Sequence, residues 1–99
     1  MLLDFDDQEL RRLYTDPGYQ GGGMGAEVIR AFRKVLNLVA AAVDERDLYG
    51  VKSLHFEKLK GKRAGQSSLR LNKQWRLIVR LVDTEAGRVV VVVEIADYH

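Results

Sequence analysis

The run Gln74-Trp75-Arg76-Leu77-Ile78-Val79-Arg80-Leu81-Val82-Asp83-Thr84-Glu85-Ala86-Gly87-Arg88-Val89-Val90-Val91-Val92-Val93 decides the fold. Trp75, Leu77, Val79 and Leu81 alternate with Arg76, Ile78 and Arg80, the period of a strand buried on one face. That alternation turns Trp75 inward, as a core residue. Asp83-Thr84-Glu85-Ala86-Gly87 reads as a hairpin turn, and the five valines read as an inner strand covered on much of both faces.

The same period extends upstream. Leu54 and Phe56 alternate with His55 and Glu57, and Leu69 and Leu71 with Arg70, while Leu59 breaks the pattern. Before the sheet the period changes: Val28, Phe32, Val35, Leu36, Val39 and Val43 recur at three- and four-residue spacing, which predicts a helix over residues 26–43. A shorter helix is expected over residues 7–14, capped by Asp4 or Asp6 and ended by Thr15-Asp16-Pro17-Gly18. The expected architecture is α+β, two N-terminal helices packed on a twisted antiparallel β-sheet. With 99 residues, 46% of them hydrophobic, the chain is expected to form one domain over residues 1–99.

Composition removes several classes of function. There is no cysteine, which excludes disulfides and thiolate metal sites, and two histidines cannot build a metal centre without several carboxylates. No metal or small-molecule cofactor is expected. The amino terminus has no basic leader, and no stretch nears the ~18 apolar residues of a membrane span, so a cytoplasmic protein with no membrane partner is expected.

The net charge of +2 conceals an asymmetry. Residues 51–80 carry Lys52, Lys58, Lys60, Lys62, Arg63, Arg70, Lys73, Arg76 and Arg80 against Glu57 alone, whereas residues 1–24 hold five acids against Arg11 and Arg12. A basic segment of this kind attracts polyanions, nucleic acid above all. Pairing Leu69 with Leu77 places Arg70 beside Arg76, and like charges directly opposed cost roughly 0.2 to 1 kcal/mol, which suggests that an anion is expected there. The bland alternative is an ion pair to Glu94, which hairpin arithmetic about Glu85 sets opposite Arg76.

Other motifs weigh less. Lys60-Gly61-Lys62-Arg63-Ala64-Gly65 is a basic loop whose glycines would admit a phosphate, although charge-rich turns are common. Gly21-Gly22-Gly23-Met24-Gly25-Ala26 contains a G-x-G-x-x-A match, but it follows a helix rather than a strand, so a flexible hinge is the better reading. His55 and Glu57 are expected to share a strand face near the arginines. Tyr98 and His99 alone read as a frayed end.

Together these segments resemble a known family. Leu59-Lys60-Gly61, Gly65-Gln66, Ser68-Leu69-Arg70-Leu71-Asn72, Gln74-Trp75-Arg76-Leu77 and Glu94-Ile95-Ala96-Asp97-Tyr98-His99 resemble the HigB-type toxins of the RelE/ParE superfamily. The resemblance implies the RelE/ParE-like microbial ribonuclease fold. It also implies an endoribonuclease that enters the A site of the 70S ribosome, cuts translated mRNA, and is held inactive by a cognate helix-turn-helix, HigA-like antitoxin.

Residue by residue, Lys60 and Arg76 match the family's phosphate-stabilising cations. Tyr98 and His99 match its terminal pair, with Asp97 beside them. Glu57 stands where some HigB members have a histidine; YoeB-type relatives carry a glutamate there as general base, so the part of His55, two residues upstream, stays open.

Cleavage through the 2′-hydroxyl needs a base, an acid and cations, and no metal. The expected roles are Glu57 as base, His99 as acid, Lys60 and Arg76 as stabilisers, and Tyr98 orienting the phosphate or stacking on a base. Lys58, Lys62, Arg63, Arg70, Lys73 and Asp97 are expected to contact RNA. The alternative within the superfamily is a ParE-like DNA gyrase inhibitor that cuts nothing.

Overall fold

In this computed structural model, which describes residues 1–21 and 23–97, the hairpin forms as its alternation predicts. Gly22, in the glycine run, and the Tyr98-His99 tail lie outside the described residues. Strands β4 (Trp75–Thr84) and β5 (Gly87–Asp97) pair antiparallel, closed by Glu85 and Ala86. Gly87 has φ 120°, a conformation that glycine alone adopts readily.

Beyond β4 lie β3 (Ser67–Arg70) and the short β2 (Glu57–Lys58), both antiparallel. On the other side of β5, β1 (Leu2–Phe5) runs parallel to it, giving the order β1-β5-β4-β3-β2. The α+β layering is as expected, but the sheet is mixed rather than purely antiparallel. Four residues of β1 are too few to show a period, and only β5 supplies their partner.

Among the described residues three α-helices cover one face. Helix α1 (Gln8–Thr15) is capped by Asp7, not by Asp4 or Asp6, since the Asp7 carboxylate accepts from the amides of Glu9 and Leu10 at 2.8 and 3.1 Å. Helix α2 (Ala26–Ala41) buries Val28, Ile29, Phe32, Val35, Leu36 and Val39, the predicted stripe, but stops before Val43, which is 83% exposed. Helix α3 (Glu45–Gly50) was not predicted; its six residues are too few for periodicity, and Asp44 caps it. Arg33 ties α1 to α2, donating to the carbonyls of Leu13, Asp16 and Tyr19 at 2.7, 3.3 and 2.7 Å.

Buried residues of all three helices join Phe5, Leu69, Leu77, Val79, Val90 and Val92 in one cluster. Strand alternation therefore sends the other set of side chains to the opposite face. Ser68, Arg70, Arg76, Ile78, Glu94 and Glu57 belong to that second set by register. Trp75 is only half-buried, paired with Asp97 at the end of the hairpin, rather than a core residue.

Candidate functional site

Two register features assemble the open face. Leu69 faces Leu77 and Arg70 faces Arg76, as predicted. Arg76, however, lies opposite Ala96, not Glu94. Thr84 pairs with Gly87, which shifts the arithmetic by one; between Ile78↔Glu94 and Val79↔Val92 the strand β5 carries one extra residue, Val93, which shifts it again. The bulge puts Glu94 in a cross-strand row with Ile78, Ser68 and Glu57.

The opposed arginines both reach His55, Arg76 at its carbonyl and Arg70 at its ring. Arg76 Nη2 donates to the His55 carbonyl at 2.6 Å and to the Ser68 hydroxyl at 2.9 Å, and stands 3.8 Å from Glu57 Oε1. Arg70 donates from Nε to the Asn72 carbonyl at 3.2 Å, with Nη1 3.4 Å from His55 Nε2. The side chain of Arg76 is 14% exposed while that of Glu57 is 58% exposed, so a held cation stands beside an accessible carboxylate. A charge this buried must be hydrogen-bonded, and the Ser68 hydroxyl and His55 carbonyl supply acceptors for its Nη2.

The segment before β2 departs from the expected strand. Lys52–Leu54 form a 3-10 turn, and His55 has φ 45°, the left-handed region rare for residues other than glycine. His55 and Glu57 therefore do not share a strand face. The turn still buries both Leu54 and Phe56, and it is what aims the His55 carbonyl at Arg76.

Glu94 does not neutralise the arginine pair. It is ion-paired with Arg63 of the loop joining β2 to β3. In that loop Gly61 and Gly65 have φ 66° and 88°, and Lys60 precedes a 3-10 turn at Gly61–Arg63. Lys60 and Lys62 are exposed on it. Lys58 is brought elsewhere: it pairs with Ser67 and lines a pocket of about 370 Å³ with Glu45 and Arg88, away from Glu57. Lys73 is exposed in the β3–β4 turn, and the Asp97 carboxylate accepts from Gln74 Nε2 at 3.1 Å.

Sequence reading missed Ser68, the His55 carbonyl and Asn72. Only Asn72 carried a signal, because asparagine commonly caps turns through its side chain, and here it accepts from the amides of Gln74 and Trp75 at 2.9 and 2.8 Å. Among the described residues no group of three or more His, Cys, Asp or Glu side chains could hold a metal ion. None of their helices is long and apolar enough to cross a membrane.

Comparison with known proteins gives this surface a family. Residues 3–99 match the model for the RelE-like toxin of type II toxin-antitoxin system HigB. Toxin HigB-1 of Vibrio cholerae serotype O1 is 35% identical over 83 residues, covering 84% of this chain and 86% of that protein.

Among solved structures, the YoeB-YefM complex from Staphylococcus aureus superposes with a TM-score of 0.60 at 18% identity, covering 100% of this chain and 98% of the other. A YoeB/ParE toxin from Agrobacterium tumefaciens gives 0.57 at 18% identity with both chains fully covered. YafQ from E. coli strain BL21(DE3) gives 0.60 at 9% identity, covering 96% of this chain and 90% of that one. At such identities these three share the fold. On the match along its length and the identity to Toxin HigB-1, the chain belongs to the HigB-like toxins, RelE-like toxins of type II toxin-antitoxin systems.

Proposed function

We propose that this toxin is a ribosome-dependent, metal-independent endoribonuclease that cleaves translated mRNA in the A site. The observation that carries the reading is Glu57 beside Arg76 on the open face of the sheet, 3.8 Å apart, with only the arginine held down. Glu57 takes the proton of a 2′-hydroxyl and that oxygen attacks the adjacent phosphorus. Arg76 and Lys60 stabilise the charge building on the phosphoryl oxygens, the bond to the 5′-oxygen breaks, and His99 protonates that oxygen. Tyr98 orients the phosphate or stacks on a base. Lys62, Arg63, Arg70 and Lys73 steer the RNA, with Lys58 and Asp97 at the margins.

The partner is a cognate helix-turn-helix antitoxin of HigA type, whose acidic segment covers the basic face, and the setting is the bacterial cytoplasm. One protein of this fold was solved as the YoeB-YefM complex, which supports a protein partner without bearing on its type. Inducing wild type, Arg76→Ala, Glu57→Gln and His99→Ala separately, with primer extension on one transcript, tests the reading. Cuts within translated codons from wild type alone, with all variants folded, support it. Growth arrest with intact mRNA would overturn it, and inhibited supercoiling would then identify a gyrase inhibitor.

A further inference from the structure

We propose that Glu94 is a positioning residue: through Arg63 it latches the Lys60-bearing loop across the open face of the sheet. The inference rests on the ribonuclease reading. Three observations meet at this pair.

The strand order places β3 and β4 between the loop and β5, so a side chain from residues 59–66 that reaches Glu94 spans two strands. Beneath that path lie Ser68 and Ile78, the residues between Glu57 and Glu94 in the cross-strand row; both are 0% exposed although they point away from the helices. The bulge at Val93 is what brings Glu94 to this face, since unbroken alternation from Val92, a core residue, would turn it to the helix side.

The Arg63 end is built to transmit the constraint. Its Nη1 donates to Gln66 Oε1 at 3.0 Å while Nη2 engages Glu94. The Arg63 amide donates to the Lys60 carbonyl at 3.3 Å, the Gln66 amide to the Arg63 carbonyl at 3.0 Å, and the Leu59 amide to the Gln66 carbonyl at 2.9 Å. Fixing the guanidinium therefore fixes the short turn that carries Lys60. Without that anchor, Gly61 and Gly65, which have open space around their α-carbons, leave the loop free to swing.

A carboxylate on a basic face opposes RNA binding, so charge and position predict opposite effects. Removing Glu94 strengthens attraction to the polyanion and leaves KM equal or lower. Releasing Lys60 lowers kcat, by roughly 10- to 10²-fold on the scale of a catalytic group displaced by about an ångström.

The experiment measures kcat and KM on ribosomes programmed with one mRNA, together with amide hydrogen exchange of residues 60–66, for wild type, Glu94→Gln, and the charge swap Glu94→Arg with Arg63→Glu. The expected result is lower kcat without higher KM and faster loop exchange in Glu94→Gln, both partly restored in the swap. Unchanged kcat, a rise in KM alone, or unchanged loop exchange overturns the proposal. If the wild type itself makes no cuts, the ribonuclease reading is what fails, and the exchange data still decide whether Glu94 holds the loop.

Discussion

Arg76 donates to the main-chain carbonyl of His55 at 2.6 Å, so a left-handed residue outside the sheet sets the direction of the guanidinium at its centre. The Ser68 hydroxyl, fully buried, accepts from the same Nη2 at 2.9 Å. Arg76 is therefore held by two fixed acceptors before any substrate arrives, the condition under which a cation stabilises a developing charge without reorganising.

Arg76→Lys should fail as a conservative change. The carbonyl, the hydroxyl and Glu57 all gather at Nη2, the far end of the guanidinium, which the shorter lysine side chain does not reach in the same geometry. Cleavage is expected to drop by about 10²-fold or more, on the scale of losing one preorganised donor. Ser68→Ala, which leaves the charge in place, should cost about 1 to 3 kcal/mol of stability by removing one acceptor. Toeprinting on translated mRNA and urea unfolding check the two.

His55 separates backbone from side chain. Its left-handed φ of 45° costs of order 1 kcal/mol or more for a residue with a Cβ, which glycine does not incur. His55→Gly should keep the thermal midpoint and most of the cleavage, because the carbonyl that Arg76 uses remains. His55→Val, β-branched, should lose about 1 to 2 kcal/mol and weaken cleavage by moving that carbonyl. A calorimetric scan beside the cleavage assay decides it; loss of cutting in a fully stable His55→Gly would transfer the role to the imidazole.

Arg33 should matter for stability and not for chemistry. It satisfies three carbonyls of the α1–α2 connection, and Arg33→Met leaves them without that donor. A loss of about 2 to 3 kcal/mol is expected, the scale of hydrogen bonds made by a charged donor. Denaturant unfolding reads it directly, and cleavage per folded molecule should stay unchanged.

At the hairpin end, Arg88 holds the Asp83 carboxyl below the usual carboxylate range, first through a hydrogen bond from Nε at 2.8 Å and then through its charge. A carboxyl lowered on folding contributes stability that is present above its unfolded pKa and lost as pH falls through the folded one. This contribution should therefore fade only in acid below the ordinary aspartate range. Carboxyl NMR titration should show Asp83 moving up in Arg88→Gln, and an unmoved Asp83 would remove Arg88 as the cause.

The amino-acid sequence by itself determined the helix stripe of α2, the β4–β5 hairpin, the opposition of Arg70 and Arg76 and the family, because each rests on local periodicity or on residues close along the chain. Strand β1 and helix α3 escaped it because four and six residues complete no readable period.

Tertiary structure alone decided the rest. A turn closing at Thr84 and Gly87 and one extra residue at Val93 together moved Arg76 from Glu94 to Ala96, the bulge gave Glu94 to Arg63, and a left-handed turn at His55 separated that residue from Glu57 while delivering its carbonyl to Arg76. A bulge and a single φ reversal each change which face a side chain occupies, and neither leaves a mark in the alternation of polar and apolar residues.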